Sequence, residues 1–394
     1  MNQKITVIDS IMGSGKTTWI INHMKKNPQK RFLYIAPLKS EDERIKKEIP
    51  DIYVPPDEEN KPKLPRVKNQ LRKKRSIAST HSLFQLFDEE CISLIREGNY
   101  VLIMDEVIEV LNPIEIKRSD IDIIMDSGAA IVDDDYRMVW TDRYKNLSEN
   151  GYGWLEHMIK LNKVINIDNE ALMWQFPPEI FDAFHEIFVL TYLFEANIMH
   201  NYFLANNLRY AKKSIENSKL VEFKKPDLSR YQDLINIYEG KLNINIHSDR
   251  NTFSFSWYDD ADKIYIDRMK NNLYNWFHNI SQSKSKDSMW TTFKEYRQNL
   301  QGKGYTKGFV HLGCRATNNY ANKSSLAYCV NRFHRPMIKK YFSHMGYPVN
   351  ESSYALSDLI QWIWRSRIRN GQPIDVYLPS PRMRNLLVDW LTNM

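Results

Sequence analysis

Two short stretches hold residues whose types and spacing could do chemistry: a lysine and a threonine behind a glycine turn, and two acids closing an apolar run. GSGKTT at 13–18 follows KITVID at 4–9 and opens an apolar-periodic segment from about 16 to 25, which reads as strand, tight turn, helix. In that setting the backbone amides of Gly13, Ser14, Gly15, Lys16, Thr17 and Thr18 face bound phosphates from a helix N-terminus. Lys16 then neutralises the β- and γ-phosphates, Thr17 offers a hydroxyl to Mg²⁺, and Gly13 and Gly15 let the backbone come close. The implied ligands are ATP and Mg²⁺. Ser10 stands where the strict pattern wants glycine or alanine, and its small side chain leaves the loop possible.

Asp105 and Glu106 end the apolar run VLIMDE at 101–106. Coming after a phosphate loop, they suit a carboxylate on the nucleotide's Mg²⁺ (Asp105, with Thr17) followed by one that polarises the attacking water (Glu106). That pair favours hydrolysis over storage of the nucleotide.

Positioning these groups requires parallel strands whose ends meet. FLYIAP at 32–37 and IFVLTY at 187–192 join the runs at 4–9 and 101–106 as four buried strands interleaved with helices. The stretch 112–180 exceeds what such a lobe requires and reads as an insertion, with a hairpin AAIV/RMVWT turned by Asp133, Asp134 and Asp135. KPKLPRVKNQLRKKR at 61–75 holds eight Lys or Arg and is either a solvated face or a phosphate-contacting one. After a boundary near 205, strand-like runs at 219–223, 242–246 and 253–257, then strand (289–293), helix (EYRQNL) and strand (308–312), indicate a second α/β lobe. The expected organisation is a first lobe at 1–205 and a second at 206–394, both with parallel central sheets.

A chain of 394 residues can hold two cores, and its net charge of +7 suits a polyanionic partner without proving one. No apolar run is long enough to span a membrane and no signal peptide opens the chain, so a cytoplasmic location is expected, host cytoplasm if the chain is phage-encoded. Cys91, Cys314 and Cys329 have no zinc or disulfide spacing, and the ten histidines no metal spacing. Most of the ten Trp and twenty-two Tyr belong in cores, although such rings can also stack on bases.

With these motifs in place the sequence resembles the superfamily 2 DNA helicases, in particular phage- or plasmid-type members with a DExx box, here DEVI at 105–108. YIAPLKS at 34–40 resembles motif Ia and ASTHSLF at 78–84 the strand end that precedes the box. The resemblance places Pro37, Lys39, Thr80 and His81 along the nucleic-acid path. LTYLFEA at 190–196 stands where motif III belongs, with Thr191 its polar residue. GCRATNNY at 313–320 resembles motif V through Arg315, Thr317 and Asn318. QWIWRSRIR at 361–369 resembles motif VI, with Gln361, Arg365 and Arg369 four residues apart on one helical face. In the family, motif VI arginines reach the γ-phosphate. What the resemblance implies is two RecA-like lobes, an ATP-driven DNA motor, a single-stranded DNA or DNA-junction partner, a replication or recombination protein partner, and a monomer. Other readings are a terminase-like packaging ATPase, which needs a nuclease acid set that the second half lacks, a nucleotide kinase, and a non-hydrolysing ATP switch or loader.

Overall fold

Buried apolar runs decide where the strands form, and they fall into two groups in the computed structural model, which describes residues 4–58, 62–141, 143, 151–243, 250–313 and 319–392. The chain divides into a first unit (Met1–Asp9, Lys16–Glu222, Arg335–Val349) and a second (Ser10–Gly15, Phe223–His334, Asn350–Met394).

In the first unit the four expected strands are present: β1 (Ile5–Asp9), β2 (Arg31–Ala36), β4 (Tyr100–Asp105) and β10 (Glu186–Thr191). With β3 (Ile77–Thr80), β11 (Tyr210–Glu216) and β12 (Lys219–Glu222) they make a seven-stranded sheet in the order β12-β11-β1-β10-β4-β2-β3. All pairings are parallel except β11 with β12. The strand before the glycine loop is thus separated by one strand, β10, from the strand that ends in Asp105, the RecA-like order. The run expected at 219–223 does form a strand over Lys219–Glu222, but it pairs with β11 at this sheet's edge, so the first unit runs past 205 to Glu222.

The insertion adds two small sheets to the first unit and shares its core through Leu111, Ile165, Ile167 and Met173. β5 (Leu111–Pro113), β8 (Val164–Ile167) and β9 (Ala171–Gln175) form an antiparallel sheet, and β6 (Ala130–Val132) pairs with β7 (Met138–Trp140) as the expected hairpin. Its turn is held by Asp133, whose Oδ1 accepts the N–H of Asp135 at 3.0 Å and of Arg137 at 2.8 Å.

The first unit also takes in a late segment. The helix Pro336–His344 buries Tyr341 and Phe342 in the first unit's core, and Gln175 Nε2 donates to the Tyr341 hydroxyl at 3.1 Å. Lys340 pairs with Asp168 at 2.7 Å and Glu170 at 2.8 Å, while Asn201 Nδ2 donates to the Tyr347 carbonyl at 2.9 Å. Residues 335–349, expected in the second lobe, therefore pack with the first because their apolar side chains are buried there.

The second unit holds a fully parallel four-stranded sheet, β13 (Ile235–Ile237), β16 (Ile374–Tyr377), β15 (Ser325–Tyr328) and β14 (Ser288–Thr291), in that order. Three expected strands differ. At 253–257 the alternation of Phe and Ser is deceptive: Ser254 Oγ accepts the Trp257 N–H at 3.2 Å and caps the helix Phe255–Asp260. Residues 308–312 contribute only a bridge between Phe309 and Trp290, and the strand of that region is β15. In 242–246 the described part ends a turn of 3₁₀ helix, Lys241–Asn243, and the rest lies outside the described residues.

Phe342 is fully buried, so Phe342→Ala should cost about 3–5 kcal/mol. The measurement is limited proteolysis with mass readout. Cleavage is expected to appear first within residues 335–349, and an unchanged cleavage pattern would contradict the packing described.

Candidate nucleotide-binding site

The site is built outward from the end of β1. Asp9, the last residue of that strand, is only 4% exposed. Its carboxylate accepts the N–H of Leu193 at 2.8 Å and of Phe194 at 3.0 Å, and the Lys212 ammonium lies 3.8 Å away. A buried carboxylate needs such partners, since losing water costs several kcal/mol. Burial still raises its pKa above the usual range, while Phe194, Lys212, Leu193 and Lys16 pull it back. Leu193 has φ +55°, so Asp9 pins a left-handed turn directly after β10.

The loop that follows β1 carries Gly13 at φ +83° and Gly15 at φ +90°, and nothing lies within 4 Å of where a Cβ would sit on either. Glycine is therefore required by backbone conformation, and the space beside the loop stays open. Ser14 Oγ is buried and has no hydrogen-bond partner among the described residues. Lys16 and Thr17 begin the helix Lys16–Lys26. Lost hydration draws the Lys16 ammonium down to about 8, against the opposing pull of Asp105, Asp9 and Glu106.

At the end of β4, Asp105 Oδ2 accepts from Thr17 Oγ1 at 3.5 Å and from the Tyr34 hydroxyl at 2.5 Å. Burial raises the Asp105 pKa, and Tyr34, Arg44, Lys16 and Thr17 oppose the shift. Glu106 follows at φ +73°, a backbone state costing on the order of 1–3 kcal/mol for a non-glycine residue. The turn is fixed by its N–H, which donates to the Leu190 carbonyl at 3.0 Å. A hard cation and a polyanion are the partners that this set of hydroxyl, carboxylates and ammonium suits.

The other sequence candidates fare unevenly. Pro37 follows β2, and Thr80 ends β3, opposite Ala36 in the adjacent strand. Thr80 Oγ1 caps the short helix His81–Phe84 by accepting the Leu83 N–H at 3.4 Å, and His81 is buried in that helix. Lys39 opens the helix Lys39–Glu48 and is ion-paired with Asp57. In the basic stretch, Lys63, Arg66, Lys68 and Arg72 all pair with carboxylates, Lys68 with Asp88 at 2.6 Å and Glu90 at 2.8 Å. Those four pairs suit a solvated face, while Lys73, Lys74 and Arg75 are exposed with no ion pair among the described residues. Arg315, Thr317 and Asn318 lie outside the described residues, as does Cys314.

The single helical face expected for Gln361, Arg365 and Arg369 is corrected by the structure. The helix Glu351–Ile363 stops at Trp364, where Ser366 Oγ donates to the Ile363 carbonyl at 2.7 Å and a 3₁₀ turn, Arg367–Asn370, begins. Gln361 Nε2 donates to Ser357 Oγ at 3.3 Å within that helix. Arg365 is half-buried, with its Nε lacking a hydrogen-bond partner among the described residues, and Arg369 is exposed. Trp362 and Trp364 are core residues, as expected.

Comparison with known proteins decides the family. The chain is 40% identical over 412 residues to the "SPbeta prophage-derived uncharacterized protein YonV" of Bacillus subtilis (strain 168), covering 99% of each. The chain belongs to the YonV family. The family model for the YonV C-terminal Rossmann-like domain matches residues 229–391, which contain all four strands of the second sheet. Among solved structures, S. tokodaii Xpd4 is similar at a TM-score of 0.49 and 13% identity over 99% of this chain and 94% of that one. The DUF1998 helicase MrfA bound to DNA and AMPPNP gives 0.37 and 11%, over 100% of this chain and 49% of that one.

Sequence reasoning missed Asp9, Tyr34 and Leu193. An acid closing the buried run ITVID was the available signal for Asp9, because an ionisable group there demands partners. Removing the carboxylate with Asp9→Ala strands two amides, at about 1–3 kcal/mol each. Hydrogen exchange of the peptide spanning 190–197 should accelerate in that variant, and unchanged protection would contradict the assigned role.

Proposed function

We propose that this YonV-family chain is an ATP-driven nucleic-acid motor, a DNA helicase or translocase acting on single-stranded DNA or a DNA junction. The observation that carries the reading is the convergence of Asp9, Lys16, Thr17, Asp105 and Glu106 at the carboxyl ends of β1 and β4, with β10 between them. The fit to a magnesium nucleotide rests on the open space beside Gly13 and Gly15, the unpartnered Ser14 hydroxyl, and the Thr17–Asp105 pair.

In this reading Lys16 and the loop amides of Gly13, Ser14, Gly15, Thr17 and Thr18 hold the phosphates, and Thr17 and Asp105 hold Mg²⁺. The metal supplies charge neutralisation across the phosphate oxygens. Glu106 takes the proton of the attacking water, its side chain set by the strained turn after Asp105. By the motif VI resemblance, Arg365 is the candidate arginine for hydrolysis. A second parallel α/β unit favours a motor over a nucleotide kinase, which needs an acceptor pocket instead. The prophage origin of the Bacillus subtilis relative fits replication or recombination in the host cytoplasm.

Steady-state ATP hydrolysis by the wild type and by Lys16→Ala, Glu106→Gln and Arg365→Ala, without nucleic acid and with single-stranded DNA, duplex DNA or RNA, tests the proposal. Stimulation by DNA is expected in the wild type, with losses on the order of 10²-fold or more in each variant. Hydrolysis indifferent to every nucleic acid would overturn the motor and favour a kinase; binding without turnover would favour a switch.

A further inference from the structure

The second unit carries an aromatic cluster that the nucleotide chemistry does not use. Six rings, Phe253, Phe255, Trp257, Tyr258, Phe293 and Tyr296, touch one another in a chain of contacts. Phe293 lies two residues beyond β14, and the Tyr258 hydroxyl donates to the Cys329 carbonyl, just past β15, at 2.8 Å. The cluster thus sits outside the carboxyl ends of two parallel strands, the region where open α/β sheets bind ligands.

Within the cluster Phe255 differs from its neighbours. Its residue is 44% exposed, whereas Phe253, Tyr258 and Phe293 are buried and Trp257 and Tyr296 half-buried. The ring is seated edge-to-face, with centroids 5.3 Å from Phe293 at 81° and 5.6 Å from Tyr296 at 66°. Such contacts fix a ring without stacking on it.

The backbone beneath is over-determined. Asn331 N–H donates to the Phe253 carbonyl at 2.8 Å, and its Nδ2 donates to the carbonyls of Arg250 at 2.8 Å and Thr252 at 3.1 Å. Asn331 Oδ1 in turn accepts from Arg382 at 2.9 Å. Held this way, Phe253 adopts φ +67°, a strained state for a bulky side chain and one that clusters at ligand clamps. A solvent-exposed phenyl ring is therefore presented on a rigid seat, at low entropic cost to whatever stacks on it.

The chemistry around it fits a nucleic-acid strand. Arg250, Lys294 and Arg297 are exposed, Arg297 with its guanidinium 4.8 Å from the centroid of the Phe309 ring; of the carboxylates near Tyr296, Asp259, Glu295 and Asp260, that of Asp259 is engaged by the Tyr296 hydroxyl. An aromatic face flanked by exposed cations is the usual composition of a single-strand contact.

Resting on the motor reading above, we propose that Phe255 is a stacking platform for one base of single-stranded DNA, with Arg250, Lys294 and Arg297 on the adjoining phosphates. Fluorescence anisotropy with a labelled oligothymidylate, and with an abasic strand of equal length, tests it on the full chain. Phe255→Ala is expected to weaken oligothymidylate binding about tenfold, within the range for loss of one base stack. Phe255→Trp should restore binding, and neither variant should alter binding of the abasic strand. Equal affinity of wild type and Phe255→Ala for oligothymidylate, or an equal loss on the abasic strand, would overturn the platform and leave the motor standing. A wild-type chain that binds no single strand would overturn both. Circular dichroism melting of Phe255→Leu, which keeps an apolar side chain but no ring, controls for folding; if it melts as the wild type does and still binds oligothymidylate fully, the platform is likewise overturned.

Discussion

Everything at the candidate site depends on one ammonium group balanced against carboxylates. Lys16 stands at the start of a helix, where the backbone already concentrates positive charge, and its lost hydration makes a second positive charge costly. Asp105, Asp9 and Glu106 offset that cost, and they reach it because β1 and β4 end at the same side of one parallel sheet. The sheet order is what makes the charge arrangement possible. Asp9 ties the turn after β10, Glu106 donates its amide to β10, and Asp105 engages Thr17 and Tyr34, so the three strand ends are linked by hydrogen bonds.

Two strained turns border that balance. Leu193 and Glu106 both hold left-handed backbone without being glycine, and each is fixed by a bond to a neighbouring strand end. Away from the site, Lys63, Arg66, Lys68 and Arg72 are held in ion pairs and Asp133 accepts two backbone N–H groups at its turn. Charge density in the sequence is thus a poor guide to where chemistry occurs, and charge held against burial is a better one.

How much was legible follows from the range of the interactions involved. The strands at 4–9, 32–37, 101–106 and 187–192 are continuous apolar runs, and their burial on both faces leaves little ambiguity. Lys16, Thr17 and Asp105 were readable because a glycine turn and a strand end mark them locally. The rest turns on side-chain hydrogen bonds that pattern cannot reveal. Ser254 converts an alternating Phe-Ser run into a capped helix, and Ser366 ends a helix that periodicity extends to Arg369. Residues 335–349 join the first unit through Tyr341, Phe342 and Lys340, partners separated from them by well over a hundred residues. β15 was overlooked because Ser325 and Ala327 dilute the apolar signal of a four-residue strand.

The charge balance at Lys16 can be tested without any assumption about nucleic acid. In the ligand-free protein its pKa is drawn down to about 8, so near that pH a substantial share of the molecules hold the neutral amine. A triphosphate bound beside it favours the ammonium and raises the pKa again, so binding near pH 8 must take up protons. Isothermal titration calorimetry of ATP in buffers of different ionisation enthalpy measures that uptake directly. The account predicts uptake in the wild type that is lost in Lys16→Arg, whose guanidinium stays charged at this pH. Absence of ATP binding, or the same proton exchange in both proteins, would contradict it.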